Sequence, residues 1–234
     1  AALRRRPATF TFSAPAGAST SPSRVTGLAQ WSASRLMARL PYAARAAAIA
    51  SASLSKIAIV KEVAGVQVPG TPWATPPQEL EKLAGYGRDI SKSRAEARQL
   101  LKEAGVPEGF SFTFKNRGIP QPYEPLGIWM IDQWRQIGLN VKQEIIEASA
   151  YHTMLKRGDF EVAMDFQCGF IVEPDLDLGR FLTNSDANYG KHRDTVIDDL
   201  YVRQARAIEP EERRKHLRAL EKRLLDEEVH VLYT

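Results

Sequence analysis

FEVAMDFQCGFIVEPDLDLGRFLTNSDANYG, residues 160–190, is the stretch on which the reading of the fold turns. Its first half alternates: Phe160, Val162, Met164 and Phe166 fall on one face, with Glu161, Ala163, Asp165 and Gln167 on the other. That period of two predicts a half-buried strand with one apolar face. Small residues (Cys168, Gly169), an aromatic-apolar run (Phe170, Ile171, Val172) and the turn Glu173-Pro174-Asp175 follow. A short helix is expected over residues 176–182, leading into a polar loop. A strand that ends in small, aromatic and acidic groups suits a ligand cleft, because open α/β sheets bind ligands beyond the carboxyl ends of their strands. On this stretch alone an ordinary surface loop is the competing reading.

The elements upstream choose between them. Ser93-Arg94-Ala95-Glu96 is a capping-box pattern that opens a helix through Leu101, with Gly105 as its stop. Phe110, Phe112 and Phe114 then alternate with small polar residues as a strand. A helix follows over residues 122–137, with Leu126, Trp129, Met130, Trp134 and Ile137 facing a core and Gly138 ending it. Residues 139–146 read as a strand, and Ser149 caps a short helix closed by Gly158. Strand, helix, strand, helix, strand is the order of a parallel α/β layer. Downstream, Thr195 is placed to cap one helix and Pro210 to start another. Residues 229–233 close the chain as a last strand.

Charge is distributed unevenly over the 234 residues. Residues 1–61 hold seven Arg and two Lys without one acid, which leaves 23 basic and 28 acidic residues, a net of −5, for the rest. The basicity therefore says little about the partner of the folded part, where no basic stripe for nucleic acid is visible. One cysteine excludes an internal disulfide framework and any cysteine-rich metal site. His152, His192, His216 and His230 share no metal-ligand spacing. No Walker loop, GxGxxG, HExxH or GxSxG occurs, no cofactor is implied, and no run reaches the ~18 apolar residues of a spanning helix. Residues 1–55, rich in Ala, Ser, Arg and Pro, form an atypical segment without a secretory signal's apolar core. An organelle transit peptide, a disordered basic arm and an out-of-frame translation all fit that composition.

The words VPGTPWATPP, SRAEARQLLKEAGVPEGFSFTF, WRQIGLNVKQEIIEASAYHTMLKRGDFEVAM and EPDLDLGRFLTNSDANYG follow one another in order. TVIDDLYVRQARAIEPEERRKHLRALEKRLLDEEVHVLY completes them. In that order, residues 56–234 resemble the C-terminal lobe of the family 5 extracellular solute-binding proteins, the dipeptide, oligopeptide and nickel-type receptors of ABC importers. The resemblance implies an α/β fold: an incomplete periplasmic-binding-protein lobe (type II, cluster C-like) behind an atypical N-terminal segment. It also implies a small-molecule solute held in an interlobe cleft, an ABC permease in the inner membrane as partner, no chemistry, and a periplasmic or lipid-anchored location. The abrupt loss of match before residue 56 favours the out-of-frame reading of residues 1–55. The large N-terminal part of the family pattern is absent, so the chain reads as an incomplete receptor.

In that cleft Phe166, Gln167, Cys168, Gly169 and Phe170 are expected along one wall, with Asn188 and Tyr189 opposite. Asn116 and Arg117, just past the Phe-rich strand, would offer a fork-shaped donor to a carboxylate or phosphate. A solvated loop charge is the plain alternative for Arg117. The peptide-binding members of the family carry an aspartate shortly before the turn proline, and Phe170 stands at that place. Asp175 is the nearest substitute, so the resemblance points away from an ordinary peptide and leaves a peptide- or opine-type solute open. A hydrolase using Asp165, Glu173 and Asp175 is the alternative function.

Overall fold

The computed structural model describes residues 8–12, 65–166 and 171–233. The helices weighed for residues 31–50 and the patterned start at 56–63 lie outside these residues.

Five strands form one sheet in the order β3-β2-β4-β1-β5. They are β1 (Ala8–Phe12), β2 (Ser111–Arg117), β3 (Asn140–Ile146), β4 (Val162–Phe166) and β5 (Val231–Tyr233). Strand β2 runs parallel to β3, from Ser111 opposite Asn140 to Arg117 opposite Ile146, and parallel to β4, with Lys115 opposite Ala163. The expected parallel layer is therefore present. It is extended by β1, which lies antiparallel to both β4 and β5. Nothing in the charge pattern marked a strand before residue 56, yet Ala-Thr-Phe-Thr-Phe has the alternating, β-prone composition that suits one. Its partners β4 and β5 lie beyond the boundary that composition draws at residue 55.

The helices are α1 (Pro77–Leu80), α2 (Ile90–Glu103), α3 (Tyr123–Gln136), α4 (Ala148–Arg157), α5 (Pro174–Leu178), α6 (Thr195–Arg206) and α7 (Pro210–Lys222). Three caps differ from the sequence reading in the same way. Asp89 rather than Ser93 caps α2 by accepting from Lys92 N at 3.0 Å. Glu147 rather than Ser149 caps α4, and Asp194 rather than Thr195 caps α6 through Val196 N at 3.0 Å. In each case a carboxylate stands shortly before the hydroxyl. Its charge complements the helix dipole as well as filling the orphan donors, so it takes the cap. The stops at Gly138 (φ 90°) and Gly158 (φ 69°) fall where expected, in the left-handed region that a Cβ disfavours. The short helix expected at 176–182 begins earlier, with Pro174 in its first turn, and ends in a 3-10 turn, Gly179–Phe181.

Two layers cover the sheet. Helix α3 lays Leu126, Met130 and Trp134 over Phe114, Val162 and Met164. The Trp134 ring meets Phe112 and Phe114 edge-on, at centroid distances of 5.3 and 5.5 Å. Helix α4 packs Tyr151, Met154 and Leu155 on Phe160 and Ala163. Because helices lie on both sides, β4 is buried on both faces from Val162 to Asp165, not half-buried as its alternation suggested. Central strands of parallel layers have this environment. A further cluster joins Leu178, Phe181 and Ile197 to Leu217, Leu220 and Leu224 of α7 and the turn after it.

Candidate ligand-binding site

The C-terminal ends of β2 and β4 lie side by side. Two residues beyond the Lys115–Ala163 pair, Arg117 and Asp165 come out on the same face of the sheet. Around them gather Tyr123 from the first turn of α3, Tyr151 from α4, Phe166 and Tyr189.

Each member has an identifiable tether. The backbone N–H of Arg117 donates to Asn116 Oδ1 at 2.9 Å, while Asn116 Nδ2 donates to the Tyr123 carbonyl at 2.8 Å. Gly118 N–H donates to the Ile146 carbonyl at 2.7 Å, fixing the end of β2 against β3. Arg117 then projects its guanidinium over the Tyr123 ring, 5.6 Å from the centroid. Tyr123 sets its ring edge-on against Phe166, 4.8 Å between centroids, and its hydroxyl lies 3.5 Å from Asp165 Oδ1. The Tyr151 hydroxyl lies between the carbonyls of Lys115, at 3.2 Å, and Met164, so that it ties β2 to β4.

Burial dominates the electrostatics. It raises the Asp165 pKa, against the Phe166 amide and the positive charges of Arg180, His152 and Arg117, which pull it down. The Tyr123 phenol is raised, first by burial and then by Asp165, with Arg117 opposing. Tyr151 is raised further by the same two causes, and Tyr189 by burial and Asp165. The phenols therefore remain neutral hydroxyls through the physiological range.

The sequence-derived site residues divide into three groups. Arg117, Phe166 and Tyr189 converge here. Asn116 is fully buried beneath them, its amide spent on Tyr123 and Arg117. Asn188 and Asp175 serve their own surroundings. Asn188 Nδ2 donates to the carbonyls of His192 at 2.8 Å and Leu182 at 3.3 Å. Asp175 accepts from Gln204 and, at 3.3 Å, from Arg213, which also grips Glu173 and stacks on Trp73 at 4.7 Å. Asp175, the nearest substitute for a peptide receptor's aspartate, thus has its carboxylate paired with Gln204 and Arg213. Gln167, Cys168, Gly169 and Phe170 lie outside the described residues. Tyr123 and Tyr151 are the members that sequence reasoning missed. A tyrosine three residues before Met154 on the same helix face was the available signal. Among the described residues no group of three His, Cys, Asp or Glu is placed to hold a metal ion, and no helix is long and apolar enough to cross a membrane.

Residues 48–189 match the family model described as bacterial extracellular solute-binding proteins, family 5 Middle. The chain belongs to this family. Among family 5 relatives, it is 30% identical over 152 residues to the di/tripeptide-binding protein 1 of Pseudomonas aeruginosa, an alignment covering 62% of this chain and 28% of that protein. It is 27% identical over 180 residues to the dipeptide-binding protein of Escherichia coli, covering 70% and 32%. The chain thus spans about a third of the length of these curated relatives. In fold it is similar to the E. coli murein tripeptide binding protein MppA, with a TM-score of 0.75 at 16% identity, covering 98% of this chain and 42% of that one. These relatives are binding proteins, not enzymes.

Proposed function

We propose that this chain is one lobe of the receptor of an ABC importer, capturing a small organic solute at the C-terminal ends of β2 and β4 and passing it unaltered to a membrane permease. The lobe in this reading is residues 56–234, with β1 contributed from upstream, and the receptor works in the periplasm or anchored to lipid outside the cell. The observation that carries the proposal is the Arg117–Tyr123–Asp165 cluster at the strand ends of a family 5 lobe. Membership of the family and the sheet rim, where α/β folds take ligands, support the same place.

Short peptides are the second reading for the solute, favoured by the names of the relatives. Phe170 in the place of the ammonium-pairing aspartate weighs against it, since a ring can stack on a cation but not neutralise it. The hydrolase alternative finds no support, because Arg213 holds both Glu173 and Asp175.

The test is a thermal-shift and fluorescence screen of solutes with recovery of the bound compound. A ligand at a hundred times its Kd stabilises by about 2.7 kcal/mol. In a domain of this size that is roughly 5–10 °C in Tm. Recovery of the intact solute supports capture, and conversion to product overturns it.

A further inference from the structure

Among the described residues β3 is the last strand of the sheet, so one of its edges is bonded to β2 and the other is open. The ladder tells which residues face out. Asn140 N–H donates to the Phe110 carbonyl at 2.8 Å, and the Ile146 carbonyl accepts from Gly118 N–H at 2.7 Å. The even-numbered residues of β3 thus spend their backbone groups on β2. Val141, Gln143 and Ile145 turn theirs to the open edge, and such a row of N–H and C=O groups is a template for another strand. Side chains alternate between the two faces. Lys142 and Glu144 are exposed on the face covered by α4, where Ile146 packs. Val141 and Ile145 share the face covered by α3, where Val141 packs. Ile145 is 56% exposed, and Ile128 of α3, 59% exposed, stands at the same rim. Its neighbour Gly127 lies so close to Gln143 that a Cβ there would come within 2.8 Å of the side-chain nitrogen.

We propose that this edge pairs with the same edge of a second copy of the chain, antiparallel about a two-fold axis at Gln143. In that register Lys142 lies opposite Glu144 of the second copy, and Glu144 opposite its Lys142. Val141 meets Ile145 of the second copy, and the outward backbone groups form about six hydrogen bonds across the axis. Charge selects this register. Moving the axis to residue 142 sets Lys142 against itself, and moving it to residue 144 does the same to Glu144; like charges directly opposite are destabilising. A lysine on an edge ordinarily keeps strands apart. With Glu144 two places on, it excludes the neighbouring registers and leaves one that is self-complementary. Lys142 and Glu144 also fall in pairs that exchange no backbone bonds, where facing side chains come closest. Because the paired strands run in opposite directions, the Arg117–Tyr123–Asp165 clusters come out at opposite ends of the joined sheet, and neither blocks the other.

Sedimentation equilibrium of the 234-residue chain over a roughly hundredfold range of concentration should show a reversible dimer. Lys142→Glu and Glu144→Lys each place like charges opposite one another and should each weaken association by roughly tenfold or more. Mixed in equal amounts, the two variants should associate again, because the acidic pair of one then meets the basic pair of the other. The double variant Lys142→Glu/Glu144→Lys should dimerise as the parent does. Both positions are exposed, and circular dichroism on each variant separates lost pairing from lost fold. Hydrogen exchange should protect the Val141, Gln143 and Ile145 amides as the dimer forms. A monomer at every concentration, a dimer that neither charge reversal weakens, or a mixture of the two variants that stays monomeric overturns the proposal. So does protection of those three amides in a monomer, which would mean that the chain covers its own edge.

Discussion

Removing Glu221 should cost the fold more than almost any other polar change. Glu221 sits on α7 at 4% exposure, and its Oε1 accepts from the backbone N–H of Val66 at 2.6 Å. Oε2 accepts from the Thr75 hydroxyl, so one carboxylate anchors the segment that enters the lobe. In Glu221→Ala the Val66 amide becomes a buried donor without an acceptor, which costs about 1–3 kcal/mol. The lost Thr75 bond and one buried methylene add about 1–2 kcal/mol. A total of about 4 kcal/mol lowers Tm by roughly 8–16 °C in a domain of this length. Glu221→Gln keeps an acceptor for Val66 and gives Thr75 a donor, so it should stay within about 1 kcal/mol of the parent.

The pH dependence separates the charge from the hydrogen bonds. Burial raises the Glu221 pKa, against Thr75, Val66 and Arg218. A carboxyl with a raised folded pKa contributes its full stability below the unfolded value and loses it as pH rises through the folded value. The parent should therefore lose ground to Glu221→Gln as pH rises above about 4.5, the ordinary glutamate value. Differential scanning calorimetry across that range reads both effects. Glu221→Ala indistinguishable from the parent, or Glu221→Gln as damaging as Glu221→Ala at pH 7, would refute this reasoning.

Acid should weaken the fold through a second site. The His192 and His230 rings stack 4.0 Å apart, with Asp194, Asp198, Arg223 and Glu228 around them. Burial, then His230, lowers the His192 pKa to about 4, and burial lowers that of His230. The unfolded chain thus binds more protons between about pH 6.5 and 4, and stability drops as pH is lowered there by about 1.4 kcal/mol per pH unit for each proton. Tm followed by circular dichroism should drop over that range, and His192→Phe should flatten the slope; a slope unchanged in the variant contradicts the assignment. Arg213→Ala leaves Glu173 and Asp175 without their shared cation and Trp73 without its stacked one, a loss of about 2 kcal/mol that Arg213→Lys should not restore. Thermal unfolding of the two variants measures it. Trp134→Ala removes a fully buried ring that meets two phenylalanines, and about 3–5 kcal/mol should be lost in denaturant melts.

Periodicity made the central elements legible. The phenylalanines of β2, the apolar face of α3 and the alternation of β4 gave element type and order, because these residues answer to local geometry and core burial. The caps were less legible, since Asp89, Glu147 and Asp194 compete with nearby hydroxyls and only geometry selects between them. Strand β1 escaped because its five residues sit inside a segment whose composition points elsewhere. At the site, Arg117, Phe166 and Tyr189 could be found from strand ends and loop chemistry. Tyr151 shared a helix face with Met154, but the partners of Tyr123 and Tyr151 were not legible: their hydroxyls act across 42 residues to Asp165 and 36 to Lys115, distances in sequence that no spacing rule spans. Asn116 and Asp175 looked free because their partners, Tyr123 and Arg213, lie on other elements.

A crystal structure of the chain with a solute taken from the thermal-shift screen weighs most directly on the idea of capture without chemistry. Density for the intact solute at the ends of β2 and β4, against the cluster of Arg117, Tyr123 and Asp165, is the result expected. A solute bound elsewhere on the lobe, or one cleaved in the site, would contradict it.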